Sequence, residues 1–230
     1  FLKILIMKKT LLLLIFTPIF SLAQIVNFQG FMNFSYDDDS GKIILNIEDL
    51  DKEFLYINSL SRGVGNNDLG LDRGQLGNSR IVYFTKKGNK ILLIQPNLRY
   101  ISNSLNPLEN KAVEEAFARS VLFGFDIIEH SNGSFKVDLT PFLMKDAHGV
   151  AQRLKSTNSG SYSINKSMSA IDLDRTKAFP KNIEFDVLLT FTGIPSGNLV
   201  RSVTPSPSNL TVNQHHSFVE LPDDNFKMRK

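Results

Sequence analysis

Cysteine is absent from the 230 residues. That excludes disulfides, thiol catalysis and a lipid anchor on cysteine, so the folded chain must be held by its core alone. Tryptophan is absent as well, while phenylalanine occurs 18 times, which points to a Phe-rich interior. No G-x-S-x-G occurs, so no serine elbow is marked. Histidine is scarce: only His130, His148, His215 and His216. None is followed by Glu and none has another His four residues on. The zinc-peptidase helix H-E-x-x-H, in which two His one turn apart bind metal and the Glu acts as base, is therefore missing from this sequence. After residue 23 no apolar run approaches the roughly 20 residues a helical span needs.

What is present begins with a leader. Met7-Lys8-Lys9 followed by the apolar Thr10–Phe20 and by Ser21-Leu22-Ala23 reads as a secretory signal peptide over residues 1–23, cut before Gln24, with Met7 as the true start. The expected location is therefore the periplasm, the cell envelope or the medium. The leader also carries the charge surplus. The 26 Lys and Arg, less Lys3, Lys8 and Lys9, equal the 23 Asp and Glu, so residues 24–230 are formally neutral. Nucleic-acid binding needs cationic surplus for phosphates, and none remains.

The rest reads mainly as short strands joined by turns. Asn27–Tyr36, Lys42–Ile47 and Phe54–Ile57 have strand composition. Ile81–Thr85 and Lys90–Gln95 flank Gly88-Asn89, and Phe125–Glu129 and Ser134–Leu139 flank Asn132-Gly133, both hairpin signals. Ile183–Phe191 and Leu210–Glu220 are later strands, and Ser156–Ser169 reads as an exposed loop. One amphipathic helix is expected from an Asn106 cap, Pro107 at its first position and Glu109 in a capping box. Leu108, Ala112, Val113, Ala116, Phe117 and Val121 would form its apolar face, Glu115 and Arg119 a surface pair, and Gly124 its stop. A shorter second helix starts at Thr140-Pro141 and restarts after Asp146. The expectation is an α+β fold, mostly antiparallel sheet with one clear amphipathic helix and a shorter second one.

Few residues carry a chemical signature. His215 and His216 are adjacent, and on a strand they point to opposite faces, so shared metal ligation is disfavoured. His148 is placed near a helix start, in a capping role. Asp37-Asp38-Asp39-Ser40-Gly41 lacks the later ligands of a calcium loop and reads as a hairpin turn. The loop from Gly63 to Gly77 is glycine-rich, yet no Lys-Ser/Thr follows, so it is no phosphate cradle. Its Leu69, Leu71 and Leu76 predict a loop folded onto a core. Asp72-Arg73 reads either as a substrate or partner contact or as a pair fixing the turn; the second is preferred, because an ordered loop must satisfy its own buried amides. No catalytic, cofactor-binding or metal residue is assigned.

Five blocks in order, FLYINSL with LGLDRGQLG, NPLENKAVEEAFARSVLFGF, VDLTPFLMKDAHGV, LDRTKAFPKNIEFDVLLTFTG and VRSVTPSPSNLTVNQHHSFVELPDD, resemble the N-terminal domain of bacterial secreted zinc-dependent metalloproteases. In that family the region is a domain of unknown function, and a metzincin-like catalytic domain with H-E-x-x-H-x-x-G-x-x-H lies downstream. The resemblance implies a non-catalytic domain over residues 24–230, truncated at its C-terminal end and inactive by itself. Its zinc would sit in the missing catalytic domain, its partner would be that domain of the same polypeptide, and a peptide would be its possible substrate. The alternative is a stand-alone cell-envelope module that binds peptide or glycan.

Overall fold

The computed structural model describes residues 25–223. The expected leader, residues 1–23, lies outside them. Among the described residues twelve strands form one antiparallel sheet: β1 (Ile25–Phe28), β2 (Phe34–Asp37), β3 (Lys42–Ile47), β4 (Phe54–Arg62), β5 (Leu76–Lys87), β6 (Lys90–Gln95), β7 (Ser120–Ser131), β8 (Ser134–Asp138), β9 (Gly160–Ile164), β10 (Ala170–Phe179), β11 (Asn182–Pro195) and β12 (Asn209–Glu220). Their spatial order is β1-β2-β3-β8-β7-β6-β5-β4-β12-β11-β10, with β9 beside β10 along the same edge of β11.

Two long strands turn the sheet's corners. β5 pairs β4 through its first half and β6 through its second, and β7 divides itself likewise between β6 and β8. Strands that change partners along their length bend a sheet back over itself. Here the bend runs until the ends meet, where Phe31 N–H donates to Phe179 O at 2.7 Å. Gly30 permits this approach, since a Cβ there would stand 2.6 Å from Phe179 O. The inner face becomes the core by period-two alternation. Ile183, Phe185, Val187, Leu189 and Phe191 of β11 are all fully buried. Phe34 of β2 packs across the interior on Phe185, ring centroids 4.8 Å apart, and Phe54, Phe84, Phe125 and Phe218 continue the aromatic cluster.

The expected α+β class is overturned. The fold is an antiparallel β-sheet with small helices only. The first helix, α1 (Pro107–Ala116), begins as expected: Asn106 Oδ1 accepts from Leu108 N–H and Pro107 opens the first turn. It then stops at Ala116, eight residues before Gly124, because Ser120 onward is drawn into β7 against β6. Gly124 sits inside that strand. None of the helix's residues is buried, and Leu108 is 75% exposed. Local capping makes this helix; packing does not, so it contributes no layer to the fold. Arg119 meets Glu114 at 3.8 Å rather than Glu115, which pairs with Lys111.

Other boundaries move for similar reasons. Asn27–Tyr36 is a hairpin, β1 and β2, rather than one strand. Ser156–Ser169 contains β9, whose Tyr162 is buried and hydrogen-bonds Pro207 O. Asp37–Gly41 is the expected turn, with Asp37 accepting from Asp39 N–H and Ser40 Oγ. The second helical region is split into α2 (Thr140–Leu143) and α3 (Val150–Ser156), and it fills the sheet's interior with Phe142, Leu143, Val150 and Leu154. The chain thus holds its core by wrapping sheet around a short helical plug.

Candidate functional site

The period-two alternation that buries Ile183, Phe185 and Val187 sends Glu184 and Asp186 to the outer face of β11. On β12 it does the same for His215 and Ser217, while His216 points inward, fully buried. The expected division of the two histidines is what the strand produces. His215 stands opposite Asp186 in register and bridges both acids: Nδ1 lies 3.2 Å from Asp186 and Nε2 2.7 Å from Glu184.

Each acid is further restrained. Glu184 accepts from Asn182 Nδ2 and from Ser217 Oγ. Asp186, whose side chain is fully buried, accepts from Asn213 Nδ2 at 2.7 Å and has Arg175 Nε 4.0 Å away. Asn213 also reaches Asp172 of β10. Burial pushes both carboxyls up, but the hydrogen bonds and the imidazolium outweigh it and hold both below their usual values. Burial pulls His215 down, yet Asp186 and Glu184 together drive it up to about 9. His215 is therefore a cation at neutral pH with both nitrogens donating. It has no lone pair for a metal and no vacancy to act as base. Among the described residues no cluster of three or more His, Cys, Asp or Glu is arranged to hold a metal ion.

His216 has the opposite chemistry. Nδ1 is 2.9 Å from Tyr56 Oη; Nε2 is 2.9 Å from the Gln214 amide and 3.2 Å from Leu143 O. Burial pushes it down to about 4, so it is neutral. Gln214 extends the network by donating to Lys145 O and accepting from His148 N–H, which ties the α2–α3 plug to β12. The capping role expected of His148 belongs to Asp146, whose carboxylate accepts from Gly149, Val150 and Ala151 N–H. His130 stacks on Phe135 at the surface.

The glycine-rich loop lies over the same outer face. Leu69 and Leu71 are buried as expected, and Leu76 is exposed. The loop is anchored by Val64 N–H to Leu71 O and by Gly74 N–H to Leu60 O. Its crossing depends on Gly63, where a Cβ would meet Leu71 O at 2.2 Å and Arg73 N at 2.7 Å. The turn is fixed by Gln75, whose side chain accepts from Asp72 N–H and whose N–H donates to Asp72 O. The side chains of Asp72 and Arg73 do not fix it, contrary to the preferred reading: neither makes a hydrogen bond or ion pair among the described residues. Arg73 instead reaches a cleft of about 470 Å³ that it shares with Arg175, Lys177, Glu184, Asp186 and His215.

Opposite the loop, β10 bulges. Asp172 pairs with Asp186 and Lys177 with Glu184, so Leu173, Asp174, Arg175 and Thr176 together face Phe185 alone. Thr176, fully buried, staples the bulge by donating to Asp172 O and accepting from Asp186 N–H. Sequence reasoning weighed His215 and Arg73 apart and passed over Glu184, Asp186 and Arg175. The alternation in Ile183–Val187 was signal enough to place the two acids on one face; the bulge that delivers Arg175 left none.

No curated protein and no solved structure matches the chain. A family described only as a domain of unknown function, DUF5117, matches residues 74–230, which span β5 to β12 and so include His215, both acids and the bulge. The match carries no activity with it, and over that span the chain belongs to the DUF5117 family.

Proposed function

We propose that the chain is the N-terminal accessory domain of an exported zinc-dependent metallopeptidase, whose zinc and peptide-bond hydrolysis reside in a downstream catalytic domain. The five ordered sequence blocks support this reading. The observation that carries the accessory role is the state of the two adjacent histidines. His215 is an imidazolium closed by two carboxylates and His216 is locked in the core, so neither offers a zinc ligand or a base. The domain would act in the periplasm, the envelope or the medium.

The test is to extend the reading frame past Lys230 and assay the longer protein. An H-E-x-x-H motif, stoichiometric zinc and chelator-sensitive peptide hydrolysis by the longer protein, but not by residues 1–230, is the expected result. A frame that closes without the motif, or chelator-sensitive hydrolysis by this chain alone, would overturn it. A stand-alone envelope module that binds peptide or glycan is the second reading, favoured by the open cleft at Arg73.

A further inference from the structure

We propose that the outer-face cleft between the Gly63–Gly77 loop and the β10 bulge is a binding site for a carboxylate carried next to an apolar group. Two separate irregularities of the backbone aim cations at one spot. Gly63 lets the loop cross flush against β4 and sets Arg73 over the sheet, and the bulge in β10 lifts Arg175 toward the same place. Bulges commonly serve to re-aim a side chain in this way. Lys177, at the bulge's end, completes the rim.

These cations are not there to neutralise the acids beneath. Glu184 and Asp186 are already taken up by His215, Ser217, Asn182 and Asn213. Among the described residues neither Arg73 nor Lys177 makes an ion pair or a hydrogen bond, and Arg175 has only the 4.0 Å approach to Asp186. With His215 charged, four cationic groups face two carboxylates, which leaves the cleft positive on a chain whose residues 24–230 are formally neutral.

The ligand class follows from the lining. An open guanidinium pairs bidentately with a planar carboxylate. Inorganic phosphate would meet the same cations, but it has no apolar part to bury against the cleft wall. Phe179, 46% exposed at the end of β10, lines the same cleft and offers a ring for an apolar neighbour of the bound carboxylate. The inference stands apart from the metallopeptidase proposal, since it concerns only residues of this chain.

Calorimetric titration of the purified full chain with N-acetyl-phenylalanine, its amide and inorganic phosphate tests it. The acid is expected to bind, the amide to bind at least about tenfold more weakly, and affinity to fall with added salt. Arg73→Gln is expected to weaken the acid by about tenfold with an unchanged melting temperature, and Lys177→Gln to weaken it less. Equal binding of acid and amide, tighter binding of phosphate than of the acid, an unaffected Arg73→Gln variant, or no heat with any probe would each overturn the proposal.

Discussion

His215 and His216 are neighbours whose proton affinities are displaced in opposite directions, so they predict opposite limbs in a stability profile. His215 is raised from 6.5 to about 9 by Asp186 and Glu184 against the pull of burial. Its stabilisation is complete below pH 6.5 and is lost as pH rises toward 9. At about 1.4 kcal/mol per tenfold change in proton affinity the upper limit is about 3 kcal/mol, and partial solvent exposure of the ring reduces it to about 2 kcal/mol. His216 is lowered to about 4 by burial. Its contribution is complete above pH 6.5 and is lost as pH falls toward 4, by about 3 kcal/mol. His148, held down by its own burial, adds to the acid limb, and Glu184 and Asp186 add their losses at still lower pH, below their unfolded values. Urea unfolding followed by far-ultraviolet circular dichroism, from about pH 4.5 to pH 9.5, should trace a dome centred near pH 6.5. His215→Gln should flatten the alkaline limb and His216→Gln should reduce the acid one. Stability that stays level from pH 6.5 to 9 in the unaltered chain would refute the assignment. So would an alkaline limb that survives His215→Gln at full slope.

Gly63→Ala should cost about 1–3 kcal/mol, because the new methyl meets backbone that cannot swing away, and the urea midpoint will report it. Arg73→Ala and Asp72→Ala should each stay within about 0.5 kcal/mol of the parent, reversing the loss that a turn-fixing pair would give. Asp146→Ala removes three cap bonds and should lower stability by about 1–2 kcal/mol, with Asp146→Asn intermediate by thermal melting. Leu108→Glu, on a helix that buries nothing, should leave the melting temperature unchanged.

Much of the fold was legible where one period dominates a segment. Lys42–Ile47, Leu210–Glu220 and the hairpin at Gly88-Asn89 follow from alternation and turn residues alone, and the strands form there. The helix from Asn106 shows the limit. Cap and proline correctly marked its start, but the apolar spacing of Phe117 and Val121 suits helix and strand alike, and β6 supplied the partner that decided it. β9 and β10 were illegible because Ser161, Ser163, Asp172 and Asp174 dilute the apolar alternation, and pairing with β11 holds them. The cleft had the same difficulty. Arg73, Arg175 and His215 come from three distant segments, and only the rolled sheet brings them together.

That closure also bears on how copies of the chain meet one another. An open sheet of many strands presents two rows of unpaired amides and carbonyls, each a template for a second molecule. Here the bond from Phe31 to Phe179 turns the two ends toward each other. A substitution at Gly30 would push them apart and shift the neighbouring Phe31, whose ring packs on Phe54. The expected consequence is a chain that is less stable and also sticks to its neighbours, so that this glycine guards solubility as well as stability.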